Sequence, residues 1–502
     1  MDAEHVAKNL GFVEQIFSLI RVSSASIRGL IPSVSPASLS PICALSALSA
    51  ALAVGVAGCR SGAGPADEPV PIAVQFTGDV DGRLEPCGCF TGQYGGLSRL
   101  KAAFAMLAEN DQSGAVPLRF DVGDALAGTR DFELIQHRYL ARAFADLGFE
   151  ALNLGHRETE LSAAALRGLI GASPVPFVGA NVLDRATGQP IAAPFVTVQR
   201  GGLTIGVVGV ADPAGRAERS GEGIEIADMV TTLTNLLPEV AAATDLIVLL
   251  AFTDVAQMRA LADAFYEIDL ILGGDVREPA REVLVQNRSL ISYTTNEARA
   301  LGLVNATFDR KTRHLTDPSG AAMLLEDRIP QAPETVALAD AYRTEIARTD
   351  LAIDHPGTTD SGTVPGVAPG ATFVGSESCA GCHPTATAAW QKSGHAHAFA
   401  TLERRGAAAD PNCIGCHTVG FGTESGYRRA FQGERLADVG CESCHGPGSE
   451  HVRQRAGGGT VSFQFPPLGA GDCTTCHYGE FSRPFVWDDF WELVQHGKEP
   501  TT

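Results

Sequence analysis

"PIAVQFTGDVDGRLEPCGCF", residues 71–90, decides how the first two-thirds of the chain folds. Its first half is a mostly apolar, strand-like run that stops at Gly78 and two acids, Asp79 and Asp81. Open α/β sheets build their sites at the carboxyl ends of their strands, so a strand that halts at carboxylates marks a candidate site. Cys87-Gly-Cys89 follows at once. The stretch is therefore a hydrolytic metal centre, a thiol redox site, or the shell of a site no longer used.

The flanking sequence repeats the strand–helix pattern. "LSRLKAAFAMLAEN" (97–110) and "FELIQHRYLARAFADLG" (132–148) read as helices, while "LRFDVGD" (118–124) and "ALNLG" (151–155) read as strands. Further on, "GLTIGVVGVAD", "DLIVLLAF" and "DLILGGD" read as buried strands with polar residues at their carboxyl ends. Such alternation predicts a layered α/β domain over residues 72–330. A connector over 331–372 holds one helix candidate, "VALADAYRTEIARTDLAI", and then a Pro/Gly/Thr-rich stretch without periodicity.

The last quarter, residues 373–502, reads differently. Of the twelve cysteines, eight fall here, as four C-x-x-C-H motifs: Cys379/Cys382/His383, Cys413/Cys416/His417, Cys441/Cys444/His445 and Cys473/Cys476/His477. Two thiols three residues apart can add to the two vinyl groups of one haem, with the adjacent histidine beneath the iron. Zinc also takes C-x-x-C pairs but does not require a histidine after every second cysteine. Four motifs out of four predict four c-type haems. The segments between them are loop-like and poor in apolar runs, so this domain is expected to need haem as its core. Four further histidines, His395, His397, His451 and His496, are candidate distal ligands.

Residues 29–59 carry no charged side chain and end in Val56-Ala57-Gly58-Cys59. An apolar run closed by small residues and a cysteine describes a lipoprotein leader over residues 1–59, lipidated at Cys59. A plain membrane anchor is the alternative. Asp2, Glu4 and Glu14 are out of character for such a leader and point to a start downstream, near Val22 or Leu30. Residues 60–71 read as a tether. The expectation is an exported protein held to a membrane by lipid. The formal net charge of −20 argues against nucleic acid as a partner. The partners expected are redox proteins, donor and acceptor both unnamed.

"SCAGCHPTATAAWQKSGHAHAFATL", "NCIGCHTVGFGTESGY" and "VGCESCHGPGSEH" resemble the tetrahaem c-type cytochromes that accept electrons from hydroxylamine oxidoreductase in nitrifying bacteria. The resemblance implies distal ligands at His395, His451 and His496, and implies that one haem, that of the second motif, stays five-coordinate. His397 is an extra candidate, either spare or closing that position.

The order of strand ends in the middle domain resembles the calcineurin-like metallophosphoesterases of the 5′-nucleotidase branch. "GDVDGRLEP" stands at the Asp-x-His-Gly motif, "DVGD" at the second metal motif, "NLGHRE" at Gly-Asn-His-Glu, "LAF" at a strand ending in histidine and "GGDVRE" at Gly-His-x-His. The resemblance implies a metallophosphoesterase-like layered α/β sandwich. The departures matter more: Asp81, His156-Arg157, Phe252, Asp275 and Arg277 replace the expected ligands. Asp79, Asp81, Asp124, His156 and Asp275 remain as an oxygen-rich set suited to Ca²⁺ or Mg²⁺. Arg157 and Arg277 are expected to put fixed positive charge where metal would sit. The rival outcome is an active phosphoesterase or 5′-nucleotidase. Cys87 and Cys89 are left as candidate redox thiols, with a thiolate metal-ligand pair or two thiols of unrelated use as the alternatives. Beside them "GGLSR" opens a helix whose N–H groups would face an anion, which suits a small nitrogen or sulfur oxyanion. The main expectation is electron transfer outside the cytoplasm, with a redox enzyme as the alternative.

Overall fold

The computed structural model describes residues 68–86, 94–214, 219–295, 297–349, 370–428, 433–458, 467–478 and 482–497. The leader, Cys59 and the Cys87/Cys89 pair lie outside the described residues. No helix among the described residues is long and apolar enough to cross a membrane.

Strands and helices alternate in the predicted order: β1 (Val70–Thr77), α1 (Leu97–Asn110), β2 (Leu118–Asp121), α2 (Asp131–Asp146), β3 (Ala151–Asn153), α3 (Ala163–Ala172) and β4 (Phe177–Val178). β5 (Phe195–Arg200), β6 (Leu203–Ala211), α4 (Met229–Ala243), β7 (Leu246–Phe252), α5 (Val255–Ala264), β8 (Leu270–Gly273), β9 (Leu284–Gln286) and β10 (Ser289–Tyr293) follow. β11 (Ala300–Asp309), β12 (His314–Ser319) and α6 (Pro333–Thr349) close the domain. One sheet runs β12-β11-β1-β2-β3-β4 and the other β9-β10-β8-β7-β6-β5. β1 to β4 are mutually parallel, as are β6, β7, β8 and β10.

Strand alternation builds the layers. In β7, Leu246, Val248 and Leu250 face the first sheet together with Phe76 and Phe120. Ile247, Leu249 and Ala251 face Leu233, Leu237 and Met258 of α4 and α5. The period of two in a strand makes each apolar run two-sided, so both faces need cover. Phe76 and Phe120 are fully buried between the sheets, and truncating either to alanine costs roughly 3–5 kcal/mol. The outcome is a four-layer α/β/β/α sandwich.

The helix that the sequence places in a connector packs against this domain. Ala339, Tyr342 and Ile346 of α6 join the cluster formed by Leu97, Leu100 and Phe144 of α1 and α2. Its heptad-like apolar stripe finds the groove between those two helices, so the domain extends through about Thr349. The C-terminal segment is made of short helices. Its apolar cluster has six buried residues: Leu402, Ala407, Ile414, Val419, Tyr427 and Leu436.

Candidate functional site

Two sites emerge, one in each part of the chain. The first lies at the carboxyl ends of β1, β2 and β3. Asp79, Asp81 and Asp124 all have positive φ, at 50°, 53° and 55°. Non-glycine residues rarely hold this conformation outside sites whose surroundings force it. The forcing bonds are Asp79 N–H to the Gly123 carbonyl at 2.7 Å and Asp81 N–H to the Asp124 carbonyl at 3.1 Å. Gly155 leaves room here, since a Cβ on it would meet the Asp124 amide nitrogen at 2.3 Å.

A guanidinium sits among these carboxylates. Arg157 donates from Nη1 to Asp81 Oδ1 at 2.6 Å and to the Ala127 carbonyl at 2.7 Å, and its Nε lies 3.8 Å from Asp124 Oδ2. Its backbone N–H donates to Asp124 Oδ1 at 2.8 Å. Burial works against its charge, yet Asp81, Asp124, Asp79 and Glu158 outweigh burial and hold Arg157 above its ordinary value. Asp79 is pushed up to about 6, first by burial and then by Asp81, Glu297 and Asp275, with Arg157 opposing.

These residues do not fit a two-metal centre. Among the described residues no group of three or more His, Cys, Asp or Glu side chains is arranged to hold a metal ion. A divalent ion within about 4 Å of the Arg157 guanidinium would meet a repulsion of several kcal/mol even at an effective dielectric of about 20. His156 is engaged elsewhere, since its Nε2 donates to the Asp212 carbonyl at 2.9 Å and its ring stands edge-on to Phe252. Asp275 is half-exposed, 3.9 Å from His156 Nδ1. The oxygen-rich cation site expected at Asp79, Asp81, Asp124, His156 and Asp275 is therefore replaced by an ion-pair cluster around Arg157. Arg277, expected to share that role, is exposed.

The anion site expected at the start of α1 is also not formed. Leu97 N–H donates to the Arg83 carbonyl at 3.0 Å and Ser98 N–H to the Leu84 carbonyl at 2.8 Å. The loop after β1 folds back and takes the donors that an anion would need.

The second site is the C-terminal motif set. His383 N–H donates to the Cys379 carbonyl at 2.9 Å, and His477 N–H to the Cys473 carbonyl at 2.9 Å. This single turn places thiol and imidazole on one side. Three motif histidines each face a second histidine from a distant part of the segment. Ring centroids are 6.1 Å apart for His383 and His451, 6.0 Å for His477 and His395, and 5.9 Å for His445 and His496. Two imidazoles on one metal, each nitrogen about 2 Å from it, put ring centres about 6 Å apart. The side chains thus fit six-coordinate haem iron at three motifs. His417 differs: its Nδ1 meets the Ala398 carbonyl at 2.7 Å, the backbone partner that orients a metal-binding imidazole. Among the described residues neither His417 nor His397 pairs with another histidine ring. The Cys441 side chain pushes the Cys379 thiol up and the Cys416 side chain pulls the Cys476 thiol down, so motif one neighbours motif three and motif two neighbours motif four.

Two acids escaped the sequence reading. Glu158 is buried and accepts from the N–H groups of Asp124 (3.1 Å), Leu126 (2.8 Å) and Gly155 (2.9 Å). Glu442, between the cysteines of motif three, accepts from Val374 (3.0 Å), Gly375 (2.7 Å) and Gly448 (2.7 Å). An acid within a C-x-x-C pair was the available signal.

The family model for cytochrome c554 and c-prime matches residues 378–446. A cytochrome c-554 of Nitrosomonas europaea is 37% identical over 93 residues, 16% of this chain and 40% of that protein. A 5′-nucleotidase of Vibrio cholerae is 26% identical over 257 residues, 47% of this chain and 46% of that one. The solved 5′-nucleotidase precursor of Thermus thermophilus aligns with a TM-score of 0.49 at 22% identity, over 55% of this chain and 59% of that chain. The chain spans less than half the length of these two curated relatives. It joins an α/β domain similar to 5′-nucleotidases to a segment that matches the cytochrome c554 and c-prime family model over residues 378–446.

Proposed function

We propose that this chain is an electron-transfer protein holding four c-type haems, its phosphoesterase-like domain serving as a non-hydrolytic scaffold. The observation that carries the reading is the set of three histidine ring pairs spaced 5.9 to 6.1 Å. Haem, when bound, supplies the redox iron. Cys379, Cys382, Cys413, Cys416, Cys441, Cys444, Cys473 and Cys476 anchor it covalently. His383, His417, His445 and His477 would hold the iron beside their own cysteines, and His451, His496 and His395 would supply second ligands for the first, third and fourth motifs. The neighbouring of motif one with motif three and of motif two with motif four would keep the redox groups adjacent for transfer.

Hydrolysis is set aside on the Arg157 geometry, because the reaction of such enzymes relies on metal to polarise phosphate and supply the nucleophile. Export and lipid anchoring at Cys59 rest on the apolar run before that cysteine. The partners are a protein electron donor and a protein acceptor, met at a membrane surface.

Purified holoprotein tests the reading. A pyridine haemochrome assay should give four haems per chain, and electron paramagnetic resonance three low-spin signals and one high-spin signal. Two low-spin signals or fewer, or metal-dependent phosphatase turnover, would overturn it. One observation favours a second reading: with no histidine ring paired with it among the described residues, His417 would leave its haem open to a small ligand, which makes this chain a redox enzyme on a small nitrogen compound. Binding of nitric oxide or nitrite at the high-spin haem, with turnover, would select that reading.

A further inference from the structure

The helical face of the first sheet carries a cleft that neither the haem set nor the Arg157 cluster uses. It lies between α2 and α3, lined by Leu134, His137 and Ala141 on one side and Ala165, Gly168 and Leu169 on the other, with a volume of about 240 Å³. His137 is 3% exposed, and neither ring nitrogen has a hydrogen-bond partner. Buried polar groups are nearly always paired, so an imidazole with both nitrogens unmet points to a missing partner. The other polar liners are already satisfied. Arg138 pairs with Glu345, and Ser173 Oγ donates to the Val175 carbonyl at 2.7 Å.

Water answers this poorly. A held water needs two to four polar partners, and the cleft offers one unpaired polar group against an apolar lining. A charged ligand also fits poorly, because the one ionic liner is neutralised at the rim and burial holds His137 well below its ordinary value, neutral at pH 7. Size gives the remaining constraint: about 240 Å³ is smaller than the roughly 300–1,000 Å³ of drug-sized sites, which admits one ring but not a nucleotide. Phe177 packs against the imidazole, with ring centroids 6.1 Å apart, and holds the ring in place. We propose that the α2–α3 cleft is a binding site for a small neutral aryl alcohol, whose ring fills the apolar walls and whose hydroxyl hydrogen-bonds to His137.

Calorimetric titration of the full haem-loaded chain with phenol tests this, with toluene as the probe lacking the hydroxyl and ¹⁵N-histidine NMR as a second readout. Two variants separate site from fold. His137→Phe removes the polar handle. Gly168→Leu plugs the cleft from an outer position where an added Cβ meets nothing within 4 Å, so folding is unaffected. Saturable one-to-one phenol binding that shifts the His137 imidazole resonances, at least tenfold weaker for toluene and at least tenfold weaker in both variants, is the expected result. No saturable phenol binding, equal affinity for toluene, or phenol binding that survives in Gly168→Leu would overturn it.

Discussion

Arg157 does at residue scale what a pair of cations does in a metal-dependent hydrolase: it neutralises carboxylates held at strand ends. Replacing it with alanine strips that neutralising charge from Asp81, Asp124 and Asp79, all partly or fully buried. Arg157→Ala should lower stability by about 3 kcal/mol, the low end for a broken buried pair because the guanidinium is 34% exposed. Urea denaturation measures the loss, and millimolar Mg²⁺ should recover part of it only in the variant. His137 makes a separate prediction. Burial pulls its imidazole from 6.5 down to about 4. The unfolded chain then takes up a proton that the fold refuses, so its contribution is full above about pH 6.5 and is lost as pH falls toward 4. The loss is roughly 3 kcal/mol across that window. Denaturation at pH 7 and pH 4.5 should show His137→Phe gaining about that much on wild type at the lower pH. The motif comparison already put the Arg157 charge at the metal position, but nothing in the sequence singled out His137. A histidine on an amphipathic helix reads as ordinary, and only packing shows that it is buried without partners.

At the scale of elements, the third motif depends on more than its thiols. Glu442 ties the chain before motif one (Val374, Gly375) to the loop after motif three (Gly448) through charged hydrogen bonds. Charge-assisted bonds are worth about 1.5–3 kcal/mol each and are not additive. Glu442→Ala should destabilise the segment by roughly 3 kcal/mol, with Glu442→Gln recovering part of it. Protease sensitivity of residues 370–458 in the holoprotein is the readout. His451→Ala should convert one low-spin haem to high-spin and leave the other low-spin signals in place, read by electron paramagnetic resonance. The continuous apolar runs of β6 and β7 made the strands legible without tertiary information. α6 was legible as a helix but not as part of the domain, because an amphipathic stripe says what must be covered and not what covers it.

At the scale of the whole molecule, the two parts are stabilised by different means. The α/β domain buries full apolar layers on both sides of two sheets. The C-terminal segment buries six apolar residues in its own cluster and leaves its haem-motif cysteines without disulfides. Protein made without haem maturation should keep the far-UV spectrum and protease resistance of residues 68–349 while residues 370–497 are digested. Equal resistance of both halves would contradict the view that haem supplies the second core. The histidine pairs would account for the dependence: each joins segments far apart in sequence, so ligation by them would close long loops that little else holds.

By itself the sequence determined the strand–helix order, the metallophosphoesterase-like outline and the four C-x-x-C-H motifs. Each is local: a period of two or 3.6, an acid at a strand end, or a spacing of three residues. Tertiary structure alone decided that Arg157 and not Arg277 pairs with the strand-end carboxylates, that the first N–H groups of α1 are already taken, and which distant histidine meets which motif. Those facts depend on chain segments brought together by the sheets and loops, and no local pattern encodes a distance between residues that are remote in sequence.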